Sequence, residues 1–394
     1  MINKTDNINK NIFLINYRLF LAILLFTLLY LFNNMYIKLF GSISILIIMI
    51  LAIFDFVCRM GRIKINKTWL WFIIFSFYNV ILFLRTPTIK GLYSFLLQMV
   101  LLFFAASLTS ISLGEEVIEN IFKWGKVLYF ILLIPASLIA VEGGRMAFGK
   151  FNNYFSPVIY KIMLPCTFFF LPNSKHKLLK ILFFSFIYFR MVERTSSIVL
   201  IIIYIMYLLL KKVKKSKTLY RLIFIGVFIL IIVFSYIYVQ LQYTKLGYMI
   251  NDIFREYTGG NFFSGRNKIW EVAFNYIKKA PIFGYGLDNG LMSSVGIELS
   301  THNTYIHILL QGGIIGLFIF FMFIYTIWES YFKCLDDDIV VIGASYLIGI
   351  LIFINFEVTL IGNSVVTAIF LWFVLGITSV QCKNKKLNSI NKIE

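Results

Sequence analysis

Chemistry in this chain can come from three histidines, a few arginines and one long polar stretch. His302 stands in Thr301-His302-Asn303-Thr304-Tyr305, directly before a long apolar run. An unperturbed imidazole titrates near 6.5, so His302 at that place could act as a general base or orient a hydroxyl. The plainer reading is an interface residue that helps Asn303 cap the following helix. His176 lies between Lys175 and Lys177 and reads as a surface residue. His307 falls inside the apolar run, where packing or hydrogen bonding between helices is the simpler role.

Arginines form the second group. Arg190 and Arg194 stand four apart with Glu193 between them, and Arg266 follows Ser264-Gly265 at the start of an amphipathic run. A helix start offers backbone N–H groups and a positive dipole end to an anion. Guanidinium groups match phosphate oxygens two at a time, and arginine at membrane depth is costly unless paired or functional. The plainer alternatives are that Glu193 neutralises one arginine and that Arg266 snorkels to headgroups. The acids between 241 and 303 are scattered: Asp252, Glu256, Glu271, Asp288 and Glu298. No two have the spacing of a local metal site, so metal-dependent transfer is disfavoured and no metal or other cofactor is expected. No phosphate-cradling Walker loop occurs, so ATP hydrolysis is not expected.

The elements that must position these residues are membrane spans. The chain has 394 residues, 60% hydrophobic, 18% aromatic and only 14% charged. That composition excludes an ordinary soluble domain and points to an all-α integral membrane protein. The net charge of +19 then reports anchoring charge rather than nucleic-acid binding. Apolar runs predict about twelve spans: 17–37, 39–58, 69–86, 91–112, 125–141, 156–172, 178–191, 195–210, 219–240, 304–327, 339–357 and 362–381. The stretch 178–210 could be one long helix or a hairpin of short spans. Lysine and arginine clusters fall on one side only if it is a hairpin, which puts both termini in the cytoplasm. The turn from Arg190 to Ser197, the loop Glu142–Ser156 and the long loop 241–303 then lie outside. The expectation is one polytopic domain over 1–394. Cys58, Cys166, Cys334 and Cys382 read as free thiols in spans or cytoplasmic turns.

Segment 241–303 has its own order signals. Ser264 can cap a helix in which Ile269, Trp270, Ala273, Phe274 and Ile277 share one face, stopped by Pro281. The expectation is a short helix flat on the outer membrane surface, apolar face down. Gly284 and Gly286, flanking Tyr285, and Gly290 mark turns or close backbone approach to a ligand.

Taken together, Ser264-Gly265-Arg266-Asn267-Lys268-Ile269-Trp270, Pro281-Ile282-Phe283-Gly284-Tyr285-Gly286, His302-Asn303-Thr304-Tyr305 and Gly312-Gly313-Ile314-Ile315-Gly316 resemble the O-antigen polymerase and O-antigen ligase superfamily in order and spacing. Glu193-Arg194-Thr195-Ser196 resembles that family's upstream arginine motif less specifically. The resemblance implies an enzyme at the outer face of the bacterial cytoplasmic (inner) membrane, acting on undecaprenyl-diphosphate-linked oligosaccharides without metal and with inversion. By motif position His302 matches the catalytic histidine, and Arg266 and Arg194 match arginines on the carrier diphosphate. Arg190 is a further candidate there without a clear family counterpart. Gly284, Tyr285, Gly286, Asn303 and Tyr305 would support the site.

Within the family, a polymerase of O-antigen or capsule repeat units is preferred over a ligase acting on the lipid A core of lipopolysaccharide. A lipid-linked oligosaccharide flippase would spread charge along several spans, whereas here it gathers at one outer end. A cell-wall polymerase of the rod-shape type would share the architecture without this motif order. Membrane lipids, a chain-length regulator and a flippase are the candidate partners, and nucleic acid is not.

Overall fold

The computed structural model describes residues 66–111, 113–141, 158–190, 194–258, 261–287, 300–362 and 365–390, with isolated helical positions between 36 and 50. Among these the chain is helical, with no strand. In order the helices are α1 Lys67–Arg85, α2 Ile89–Leu108, α3 Glu115–Val141, α4 Val158–Cys166, α5 Lys177–Arg190, α6 Arg194–Val213, α7 Lys217–Leu241, α8 Lys245–Thr258, α9 Arg266–Lys279, α10 Thr304–Tyr331, α11 Asp338–Phe353 and α12 Val365–Ile390. A 3₁₀ turn, Thr167–Phe170, extends α4. Polar caps start several of them: Asn66 accepts from the Trp69 N–H at 3.0 Å, Thr88 from Gly91 at 3.0 Å, and Asp337 from Ile339 at 2.9 Å.

Seven helices among the described residues are long and apolar enough to cross a membrane. They are α1, α2, α3, α6, α7, α10 and α12, and α4 with its 3₁₀ extension and α11 are shorter apolar helices. Most of the first two expected spans and the loop 142–156 lie outside the described residues. The stretch 178–210 is a hairpin. Ser197 Oγ donates to the Ser185 carbonyl at 2.7 Å and Ser185 Oγ returns to the Ser197 carbonyl at 3.3 Å, tying α5 to α6.

Core packing centres on α10, α11 and α12, and α12 is enclosed along most of its length. Small residues permit close approach there: a Cβ on Gly376 would meet Leu108, and one on Gly343 would meet Thr378. The hairpin alternates direction, so the ends of α5, α6 and α7 sort to two ends of the bundle. One end gathers the acids Glu329, Asp336, Asp337 and Asp338 with lysine and arginine partners. Lys177 reaches Asp338 at 2.9 Å, Lys214 reaches Asp336 at 2.7 Å, Lys217 and Arg221 hold Glu329 at 3.0 and 2.6 Å, and Lys385 reaches Asp337 at 3.4 Å.

The same end carries a correction. Cys334 and Cys382 are joined as a disulfide with Cα atoms 5.4 Å apart, not free thiols as expected. Their sequence separation of 48 carries no pairing signal; the turn Phe332–Cys334, seated on α12, brings them together. Cys166 is free and buried, and Cys58 lies outside the described residues.

Candidate active site

His302 occupies the opposite end of α10. The Asn303 side chain caps that helix, accepting from the Tyr305 and Ile306 N–H groups at 2.9 and 3.0 Å. Its amide also donates to Asn355 Oδ1 at 2.8 Å, and Ser235 of α7 donates to the same oxygen at 2.7 Å. The Thr304 N–H donates to the Ile354 carbonyl at 2.9 Å and the Thr304 hydroxyl to the Glu357 carbonyl at 2.7 Å. Tyr305 donates to the Leu351 carbonyl at 2.7 Å. The bonds from Asn303 and Thr304 clasp residues 354–357, which follow α11, against the start of α10, with Ser235 and Tyr305 bracing the turn from α7 and at α11. His302 is thereby left at φ 47, with 40% of its side chain exposed.

The clasp delivers Glu357, a residue the sequence reading did not single out. Its carboxylate is 8% exposed and meets Lys161 Nζ of α4 at 2.6 Å, Arg266 of α9 at 3.6 Å and His302 Nδ1 at 3.6 Å. Burial by itself would raise this carboxyl, but His302, Lys161 and Arg266 outweigh it and hold the pKa down at about 2. Arg266 also donates to the Phe356 carbonyl at 3.0 Å and lies over the Phe356 ring. A partly exposed histidine, a buried carboxylate on its Nδ1 and two cations therefore converge from α4, α9, α10 and the 354–357 turn. With Nδ1 facing Glu357, Nε2 is the nitrogen free to meet a hydroxyl. Sequence position hinted at Glu357 and Lys161, since each interrupts a strongly apolar stretch, and ionisable residues there are functional candidates. The expected span 339–357 absorbed Glu357 into its end, whereas α11 stops at Phe353.

Arg194 opens α6 and lies over the Phe254 ring at 4.4 Å. Phe254 contacts Phe262, Phe262 contacts Phe263, and the Phe263 carbonyl accepts the Arg266 N–H at 3.0 Å. Arg194 is thus linked to the start of α9 by rings and backbone, without itself touching Glu357. Arg190, at the end of α5, is exposed and is not among the groups joined at Glu357. Glu193 lies outside the described residues, as do Asp288, Gly290 and Glu298.

Helix α9 differs from expectation in two ways. Gly265, at φ 76, is its N-cap without a side-chain bond, and Ser264 turns its hydroxyl back to the Asn261 carbonyl. The predicted apolar face is right but its partner is protein. Trp270 and Ala273 are fully buried with Tyr238, Val239, Ile306 and Leu310 of α7 and α10. Trp270 Nε1 donates to the Thr301 carbonyl at 2.8 Å, fixing the approach to His302.

The Pro281–Gly286 turn approaches the backbone of α10. That helix is broken at Gly313, at φ 60 and ψ −161. The turn fills the break: Tyr285 and Gly286 N–H groups donate to the Leu310 and Gln311 carbonyls at 2.8 and 2.9 Å. In return the Ile314 N–H donates to the Pro281 carbonyl at 2.9 Å. A Cβ at Gly284 would stand 2.6 Å from the Gln311 carbonyl, and one at Gly313 would strike the Ile282 carbonyl. Arg85 of α1 donates to the Phe283 and Gly284 carbonyls at 3.1 and 3.3 Å, and Tyr78 to the Gly312 carbonyl at 2.6 Å. These glycines serve helix repair inside an apolar bundle, where freed backbone groups need internal partners.

Residues 179–321 match the family described as O-antigen ligase. That match contains His302, Arg266, Arg194 and Arg190 and leaves Lys161 and Glu357 outside it. None of the curated proteins compared matches the chain.

Proposed function

Taking residues 179–321 as those of a member of the O-antigen polymerase and ligase superfamily, we propose that the chain is a membrane glycosyltransferase of lipid-linked polysaccharide repeat units. The growing glycan leaves undecaprenyl diphosphate and joins a sugar hydroxyl of the next lipid-linked unit. On this reading about twelve spans lie in the bacterial cytoplasmic membrane with both termini inside, and 241–303 is the external loop. The observation that carries the reading is the meeting of His302 and Arg266 at one buried carboxylate, Glu357.

The chemistry follows from that cluster. The acceptor hydroxyl attacks the anomeric carbon opposite the departing diphosphate, which inverts that centre. As the new C–O bond forms, the hydroxyl proton passes to His302 Nε2. The imidazolium so formed is stabilised by Glu357 on Nδ1, in the way a buried carboxylate orients and charges a catalytic histidine. The bond between the anomeric carbon and the diphosphate oxygen breaks, and negative charge grows on the diphosphate. Arg266 and Arg194, with Arg190 as a further candidate, meet that charge. Lys161 keeps Glu357 compensated, so Arg266 is not fully engaged by it. The donor is already activated, so no nucleotide is consumed. Gly284, Tyr285, Gly286, Asn303 and Tyr305 act behind the site by holding α10 and the 354–357 turn.

Purified protein in lipid bilayers, given only lipid-linked repeat units and a chelator, should produce a ladder of longer lipid-linked glycans. His302→Ala should abolish the ladder. Product formed only when lipid A core is added would make the protein a ligase. Activity lost in chelator and restored by a divalent metal would overturn the metal-independent mechanism.

A further inference from the structure

Helix α8 carries a surface that nothing in the transfer reaction uses. Taking 100° per residue, its side chains divide into three sectors. Gly247, Ile250, Asn251 and Phe254 face the protein: a Cβ on Gly247 would strike the Leu241 carbonyl, Asn251 Oδ1 accepts the Phe262 N–H at 2.9 Å, and Phe254 lies under Arg194. Lys245, Asp252, Arg255 and Glu256 form a charged, exposed sector. Between them Leu246, Met249, Ile253 and Tyr257 fall within about 80° of arc. These four are apolar or aromatic yet 53%, 54%, 49% and 80% exposed.

The position of α8 says what covers that stripe. Helix α7 has 25 residues and is long and apolar enough to span. At about 1.5 Å per residue it is some 37 Å long, more than the roughly 30 Å hydrocarbon thickness. Its exposed apolar surface continues through Phe234, Tyr236 and Ile237 to within a turn of its end at Leu241. Only Gln242, Tyr243 and Thr244 separate that end from α8. The turn is ordered, with the Thr244 N–H donating to the Leu241 carbonyl at 3.0 Å and the Gly247 N–H to Thr244 Oγ1 at 3.0 Å. Helix α8 therefore starts at the level where α7 leaves the bilayer. A protein-facing side, an apolar side and a charged side, side by side, are what a helix docked at a protein–lipid–water edge requires.

We infer that α8, and not α9, is the membrane-surface helix, with Leu246, Met249, Ile253 and Tyr257 seated in the lipid leaflet beside the His302 end of the bundle. The occupant of the stripe is the bilayer's own acyl chains. Because Phe254 on the neighbouring sector lies under Arg194, lipid seating of α8 also sets where that guanidinium stands. This inference does not depend on the reaction proposed above.

The test uses full-length protein in bilayers containing brominated phosphatidylcholines, with fluorescence compared against the parent chain. Ile253→Trp and, as a second probe, Met249→Trp should each lose much of their added fluorescence to the bromines. Tyr248→Trp, on the charged side, should lose little. Equal quenching on both sides, or quenching stronger at Tyr248, overturns the assignment. So does protection of Ile253→Trp and Met249→Trp from the bromines together with Ile253→Cys cross-linking between copies, which would make the stripe a contact between two chains.

Discussion

His302 sits at φ 47, in the left-handed region that a non-glycine residue enters at some cost. The clasp between 303–305 and 351–357 holds it there and sets its Nδ1 against Glu357. Asparagine tolerates that backbone, so His302→Asn should fold normally yet lose about 100- to 10,000-fold in transfer, the range of a positioned acid–base group. A rate near wild type would leave His302 with only the helix-end role. Arg266→Ala should cost about 100- to 1,000-fold, as for loss of one stabiliser of transition-state charge. Arg266→Lys should recover only part of this, since a point charge cannot reproduce the guanidinium fork. Glu357 gives the pH dependence. Its carboxyl is lowered from an ordinary 4.5 to about 2 in the folded protein. A lowered carboxyl adds stability above the unfolded value, and that stability is lost as pH falls towards the folded one. The difference corresponds to about 3 kcal/mol. Thermal melts between pH 5 and pH 2 should show this loss in the parent chain (the window spans both values). Glu357→Gln should be less stable at neutral pH and flatter across the same window. Equal slopes in the two proteins would show that Glu357 does not govern acid sensitivity.

The broken helix α10 and the turn that repairs it form one unit. Its two halves exchange backbone hydrogen bonds with Pro281–Gly286, and Arg85 and Tyr78 of α1 hold the assembly from the side. The break lies within the helix that begins beside His302, so looseness there would reach the His302–Glu357 cluster. Gly313→Ala and Gly284→Ala both force a side chain onto positive φ and into backbone atoms. Each should lower stability by at least about 1–3 kcal/mol, the strain of such a conformation alone. Gly226→Ala, where a Cβ meets nothing, is the control and should be neutral or slightly stabilising. Melting temperatures of the purified variants decide this, and tolerance of alanine at Gly284 and Gly313 would mean the turn does not seat on the break.

At the scale of the whole molecule, the two ends of the bundle differ in chemistry. His302, Glu357, Arg266 and Arg194 occupy one end. The lysine-rich acid network and the Cys334–Cys382 pair occupy the other. The excess of Lys and Arg predicts that the second end is cytoplasmic. Ser216→Cys, at that end, should then react only with membrane-permeant reagents in intact cells. Ser264→Cys, beside Arg266, should react with impermeant ones. The opposite pattern would invert the topology.

The places of the helices behind the expected spans from 69 to 381 were legible in the sequence because burial in lipid demands long apolar runs whatever the neighbours are. Their lengths were not: among the described residues only seven helices are long and apolar enough to cross, and helix α8 lay unmarked within 241–303. His302 and Arg266 were legible because they stand in short motifs within one segment. The tertiary structure decided everything that needs two distant segments. It alone brought Lys161 and Glu357, one from each side of the motif region, to His302 and Arg266. It turned the apolar face of α9 onto α7 and α10, since periodicity shows that a face must be covered but not by what. It gave the glycines of Pro281–Gly286 to a broken helix, because a glycine marks close backbone approach without naming the partner. Pairing of Cys334 with Cys382 likewise came only from the packing of the turn after α10 against α12, since a separation of 48 residues leaves no trace of contact in the order of the chain.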